Sequence, residues 1–149
     1  MRLITLAFAL AVSSFSSADW SLQQPSSIHF LTSKNTHITE VHAFKTFTGT
    51  INESGYAQLT IDLASVDTRI AIRDERMQEY LFETAKFSQA SFAAEIPATV
   101  LAQVSAGTQT RYQLKGKISL HGEQSEGQCE VMINPNKDGT ITVSTITPM

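Results

Sequence analysis

The sequence predicts an all-β chain folded as an up-and-down antiparallel barrel of about eight strands, with a short helix covering one end. Three observations lead there. Past Pro25, apolar and polar residues alternate one by one, as in Ala57, Leu59, Ile61 and Leu63 against Gln58, Thr60 and Asp62. Each strand so patterned has one dry and one wet face, which suits antiparallel rather than parallel sheet. Turn-forming clusters separate the runs: Asn52-Glu53-Ser54-Gly55, Ser105-Ala106-Gly107, the stretch from Gly122 to Gly127, and Asn134-Pro135-Asn136-Lys137-Asp138-Gly139. One stretch, 70–82, changes period and sets Met77 and Leu81 four residues apart, on one helix face.

The chain of 149 residues is the size of one domain with a single core. Its first 18 residues, MRLITLAFALAVSSFSSA, carry one cation at Arg2 and an apolar run from Leu3 to Val12. Ser16 and Ala18 then stand where a leader peptidase cleaves, so 1–18 is a secretory signal peptide and 19–149 the mature domain. The apolar run falls short of the roughly 20 residues that span a bilayer. The expected compartment is therefore the periplasm, reached by secretion and cleavage of the leader.

The expected strands fall at 27–33, 37–51, 56–64, 91–96, 99–104, 111–121, 128–134 and 140–146. Phe92, Ala94 and Ile96 share a face, and so do Tyr112, Leu114, Ile118 and Leu120 against Gln113, Lys115, Lys117 and Ser119. Ser65-Val66-Asp67-Thr68 turns the chain out of the third strand into the helix, with Asp67 placed to cap it and Arg76 and Glu79 spaced to pair along its exposed side. Cys129, the single cysteine, alternates with Val131 and Ile133 and reads as a small buried hydrophobe.

Several function classes are excluded by what is missing. A net charge of -3, one Trp and three Tyr give no footprint for nucleic acid. His29, His37, His42 and His121 are spread over strands with no HExxH, no His-x-His and one Cys, so no metal is expected and the histidines read as surface or rim residues. No Gly-x-Ser-x-Gly elbow, phosphate loop or dinucleotide fingerprint is present, so neither enzymatic activity nor a cofactor is expected.

The strand parity leaves an apolar interior. Its expected lining is Phe30 and Phe47 from the first two strands, Leu59, Ile61 and Leu63 from the third, and Phe92 and Ile96 from the fourth. Leu114 and Ile118, then Val131 and Ile133, follow from later strands, with Phe82 and Phe87 as gate residues. A barrel of this size is either filled by its own side chains or holds one small ligand, and an apolar lumen and an apolar core have the same pattern.

The stretch Ser65-Val66-Asp67-Thr68, Arg73-Asp74, Met77, Leu81-Phe82, Lys86-Phe87 and Phe92 resembles the motif of the YceI-like family. Ser27-Ile28-His29-Phe30 resembles that family's first strand. Phe44, Phe47 and Gly49 match its Gly-x-Phe-x-x-Phe-x-Gly run, and Leu114 to Gly122 resembles its Gly-x-Leu-x-Leu-x-Gly strand. His42 stands where the family usually has glycine, Arg76 where it often has histidine, and Ser88 where it has proline. The family continues past the strand at 140–146 with a helix and a closing strand, so the closing strand is expected to be missing here.

The resemblance implies a secreted lipocalin-like barrel that binds isoprenoid and other amphipathic lipids. On that basis the expected function is a periplasmic carrier of a polyisoprenoid or quinone-like lipid, with transient contact to a membrane or membrane protein. The alternative is a ligand-free interaction or stress-related module whose barrel edge pairs with a membrane protein or a second copy, as a homodimer.

Overall fold

The computed structural model describes residues 19–35 and 37–148; the leader at 1–18 lies outside them. The described residues form ten strands: β1 (Trp20–Ser21), β2 (Ile28–Lys34), β3 (Ile38–Phe44), β4 (Phe47–Ile51), β5 (Tyr56–Asp62), β6 (Val66–Asp67), β7 (Gln89–Glu95), β8 (Thr110–Leu120), β9 (Glu123–Pro135) and β10 (Ile141–Thr145). Two helices join them, α1 (Ala71–Arg76) and α2 (Ala98–Ser105).

Seven strands form one curled antiparallel sheet in the order β1-β4-β5-β7-β8-β9-β10, a half-barrel. From β4 to β10 the spatial order follows the chain, so the up-and-down arrangement holds. The sheet stops at β1 and β10 instead of joining them. β2, β3 and β6 make a second, three-stranded sheet.

The long strand expected at 37–51 is two strands in two sheets. The chain bends at Lys45-Thr46, and Ser65 holds the bend: its carbonyl accepts from the Lys45 amide at 3.1 Å, and its Oγ accepts from the Thr46 amide at 2.9 Å. Phe44 and Phe47 are both buried although three residues apart, a spacing that puts them on opposite faces of one continuous strand and fits two strands meeting at a bend.

The strand expected at 99–104 is instead the helix α2. Val100 and Val104 are spaced i, i+4 and both are buried, which fits helix as well as the alternate reading of a short run fits strand. The carbonyl of Pro97 accepts from the amides of Val100 and Leu101, which starts the helix. Gly107 ends it with φ of 84°, its amide donating to Val104 and that of Thr108 to Gln103, the Schellman pattern. The Ser105-Ala106-Gly107 cluster is thus a helix stop and not a strand-to-strand turn.

The turn expected over Gly122 to Gly127 is only His121-Gly122. Leu120 pairs with Glu123, and both turn residues have positive φ, 54° and 76°, the two-residue hairpin pattern that matches the twist of the strands. The polar run from Glu123 to Gln128 is strand, paired residue by residue with β8.

The helix expected at 70–82 starts as α1 and widens into a π-turn over Met77–Leu81, where the Phe82 amide donates to the Met77 carbonyl at 2.8 Å. The extra residue rotates the face. Leu81, expected on one helix face with Met77, is 55% exposed, while Phe82 is buried at 9%.

Packing falls into two apolar clusters. In one, α2 lays Val100 and Val104 on Ala94, Ile96, Leu114, Cys129, Val131 and Ile133, with Phe92, Tyr112 and Ile141 at its margin. The other joins the two sheets through Phe44, Leu63, Val66 and Phe82, with Ile28, Phe30, Ile61, Met77 and Ala90 against it. Burying one such side chain contributes about 1.5 to 3 kcal/mol. Burial also raises the pKa of the Cys129 thiol, in keeping with a structural cysteine.

Candidate ligand-binding site

The register of the half-barrel lines its apolar residues up in rows. Phe47, Ile61 and Ala90 make one; the next runs Gly49, Leu59, Phe92 and Ile118; a third runs Ile51, Ala57, Ala94 and Gly116. Leu22 lies on the bare Gly49, 3.3 Å from where a Cβ would stand, and closes one end of the middle row. The Phe92 ring lies over Gly116, where a Cβ would approach it to 2.8 Å. The same Cβ would stand 2.3 Å from the Ala93 carbonyl oxygen, so glycine is what fits under the ring at 116.

The sequence-predicted lining residues divide on this frame. Ile96, Leu114, Val131 and Ile133 belong to the core under α2. Phe30, Ile61, Leu63 and Phe82 belong to the cluster between the sheets. Leu59 and Ile118, in the middle row, belong to neither cluster, and Phe92 between them packs at the margin of the core under α2; all three are only half-buried and present apolar surface. Phe47 is buried at the edge of the first row. Phe87 is elsewhere, with its ring 4.4 Å from that of His121 and against Gly122 at the β8–β9 turn. The two residues read as gates are thus in different places.

Phe30 is the hub of an aromatic group. Phe30 and Phe44 stack at 4.9 Å, and Phe82 meets Phe44 at 5.8 Å and Phe30 edge-on at 6.3 Å. Phe44 and Met77 were absent from the predicted lining. Parity with His42 and Phe30 would have found Phe44, but the π-turn that brings Met77 in has no sequence signal.

Beside this group is a polar network built from the Ser65 to Thr68 corner. Val66 is core, and Asp67 pairs with Lys45 at 3.0 Å and accepts from the Arg69 amide. That amide first, and Lys45 second, hold the Asp67 carboxyl below its ordinary pKa. Asp67 does not cap the helix: its Oδ1 takes the Arg69 amide, and α1 starts after Ile70 with no side-chain cap. Asp74 instead reaches out of the helix, its Oδ1 accepting from the amide and the hydroxyl of Thr68. Arg73 donates to Glu40 and to the Thr68 carbonyl, both at 2.8 Å.

His42 is not a surface or rim histidine. It is 2% exposed, 5.2 Å from the Phe30 ring, with Nε2 at 2.8 Å from Thr32 Oγ1. Its place two residues from Phe44 on the dry face of β3 is the signal that predicts this. Among the described residues no three His, Cys, Asp or Glu side chains are grouped as metal ligands. A cavity of about 590 Å³ lies against the β8–β9 ribbon, lined by Lys115, Gly116, Lys117, Glu126, Gly127 and Gln128. Its charged residues are on the opposite face of the ribbon from Leu114 and Ile118, and it meets the apolar rows only at the Gly116–Gly127 pair, where neither face carries a side chain.

The model of the YceI-like domain matches residues 20–147, a span that takes in every described strand. The chain belongs to the YceI-like family. Among solved structures it is similar to a polyisoprenoid binding domain from Saccharophagus degradans implicated in plant cell wall breakdown. That match has 31% identity and a TM-score of 0.74, and covers 89% of this chain and 72% of that one. It is also similar in fold to BcnA of Burkholderia cenocepacia, at 23% identity and a TM-score of 0.62, over 80% of this chain and 74% of that one. The YceI protein of Campylobacter jejuni shares the fold at 17% identity and a TM-score of 0.52, over 93% of this chain and 77% of that one. No curated protein matches the chain. In this YceI-like domain the Ser65-Val66-Asp67-Thr68 corner is a structural joint, and the apolar rows beside it are the candidate site.

Proposed function

We propose that this YceI-like protein is a periplasmic carrier that sequesters a long-chain apolar or amphipathic lipid, polyisoprenoid- or quinone-like, along the concave face of its half-barrel. The observation that carries this reading is the half-buried row Leu59, Phe92 and Ile118, in register on the half-barrel. A tail laid on it leaves water at about 25 cal/mol for each Å² of apolar area covered. The similarity to the Saccharophagus degradans domain, described as polyisoprenoid binding, supports the ligand class. The leader-like composition of residues 1–18 supports export. A role in binding rather than catalysis agrees with both.

Leu59→Trp tests the reading, since Leu59 is in neither packed cluster and bulk there fills the row. Titration with a fluorescent isoprenoid should show uptake by the wild type and a loss of about tenfold or more in the variant at unchanged thermal stability. Equal uptake by both would count against the row as the container.

A second reading rests on the sheet edge. β10 ends the order, with Val143 exposed, and such an edge can pair with a second copy or a membrane protein. Sedimentation of the lipid-free protein separates the readings: a dimer that forms equally well with Leu59→Trp supports edge pairing, whereas a monomer at all concentrations opposes it.

A further inference from the structure

Two buried polar atoms have no hydrogen-bond partner among the described residues, His42 Nδ1 and Arg73 Nε. Their side chains hang on one cross-strand pair. Thr32 faces Glu40 in the β2–β3 register; Thr32 Oγ1 holds His42 Nε2, and Glu40 Oε2 holds Arg73. An unpartnered polar atom in an apolar setting costs about 1 to 3 kcal/mol, and here two such atoms belong to side chains held by the same cross-strand pair. The apolar path starts there as well: His42 meets Phe30, Phe30 joins Phe44 and Phe82, and Ile61 packs on that group two residues from Leu59.

We infer that His42 and Arg73 form a head-group subsite that takes an uncharged oxygen-bearing head, such as an alcohol, amide or carbonyl, from the lipid whose tail lies on the Leu59 row. This rests on the carrier reading above. Arg73 Nε–H donates to the head oxygen, and His42 Nδ1 completes the pair as donor or acceptor according to its tautomer. Charge decides the class of head. Arg73 is already neutralised by Glu40, and the Asp74 carboxylate beside it accepts only from Thr68. The subsite thus has no free positive charge to offer a phosphate, and a diphosphate head would meet an uncompensated carboxylate.

The test compares three probes with one tail: geranylgeraniol, geranylgeranyl diphosphate and the matching hydrocarbon, each competing against a fluorescent isoprenoid. The alcohol should bind about tenfold more tightly than either of the others. In His42→Phe that advantage should disappear while hydrocarbon binding stays within about twofold, and Arg73→Lys, which keeps the charge but drops Nε–H, should reduce it in part. A readout in the unmodified protein guards against a misfolded variant: the His42 Nδ1 resonance should move on adding the alcohol and stay put on adding the hydrocarbon. Equal affinity for all three probes, a preference for the diphosphate, or a fixed Nδ1 resonance at saturation overturns the subsite while leaving the carrier reading standing. No binding of any probe overturns both.

Discussion

Asp74 reaches back six residues to Thr68 and takes both of its protons on one oxygen, the amide at 2.7 Å and the hydroxyl at 2.6 Å. Thr68 is 1% exposed, so this carboxylate is what allows a polar residue to end the corner inside the protein. Asp74→Ala should strand the Thr68 amide and leave its hydroxyl only the longer contact to the Ile70 carbonyl at 3.3 Å, destabilising the fold by about 2 kcal/mol, and Asp74→Asn, which keeps an acceptor, by about half of that. Urea denaturation of the two variants gives the comparison; equal losses would show that charge and not acceptance holds the joint.

The glycines at two chain reversals should differ in a defined way. Both Gly55 and Gly107 have positive φ, 88° and 84°, but a Cβ on Gly107 would meet nothing within 4 Å whereas one on Gly55 would stand 2.1 Å from the Ile96 carbonyl. Gly107→Ala should cost about 1 to 2 kcal/mol of backbone strain alone. Gly55→Ala should cost clearly more, because the backbone of Ile96 must shift, and its thermal midpoint should fall further.

Core and lining should respond differently to truncation. Ile133→Ala removes packing under α2 and is expected to lower stability by about 2 to 4 kcal/mol while leaving isoprenoid affinity intact at a temperature where the variant is folded. Ile118→Ala, on the half-buried row, should cost less stability and weaken isoprenoid binding. Parallel thermal melts and probe titrations check both halves.

A pH dependence follows from the β8–β9 turn. Lys86 first, and His121 second, hold the Glu83 carboxyl below its ordinary value of 4.5, through contacts of 2.8 and 2.6 Å. A carboxyl depressed in the folded state contributes stability above its unfolded pKa and loses it as pH falls through the folded one. The melting temperature of the wild type should therefore drop more steeply below pH 4.5 than that of Glu83→Gln. Parallel curves would show that the ion pairs contribute nothing, as exposed pairs sometimes do.

Alternation is enough to read the up-and-down antiparallel sheet, since a one-residue slip would turn every apolar residue outward at once. It did not reveal where one run divides between two sheets, because Ser65, twenty residues downstream of the bend, holds it. Nor did it separate α2 from a strand, as Val100 and Val104 satisfy both periods over so short a run. Of the candidate site, the dry face was legible. Which of its residues are sealed and which half-open was not, because that depends on α2 covering Ile96, Leu114, Val131 and Ile133 and leaving Leu59, Phe92 and Ile118. The buried His42 was misread from its residue type, which is usually exposed, although its parity with Phe44 placed it inside.

Native mass spectrometry of the protein released from a bacterial periplasm, followed by solvent extraction, tests the carrier account most directly. The account predicts one lipid with an isoprenoid or acyl tail for each chain, recovered chemically unaltered, and displaced when Leu59 is replaced by Trp. A bare polypeptide mass that persists after incubation with isoprenoid-loaded vesicles would contradict it.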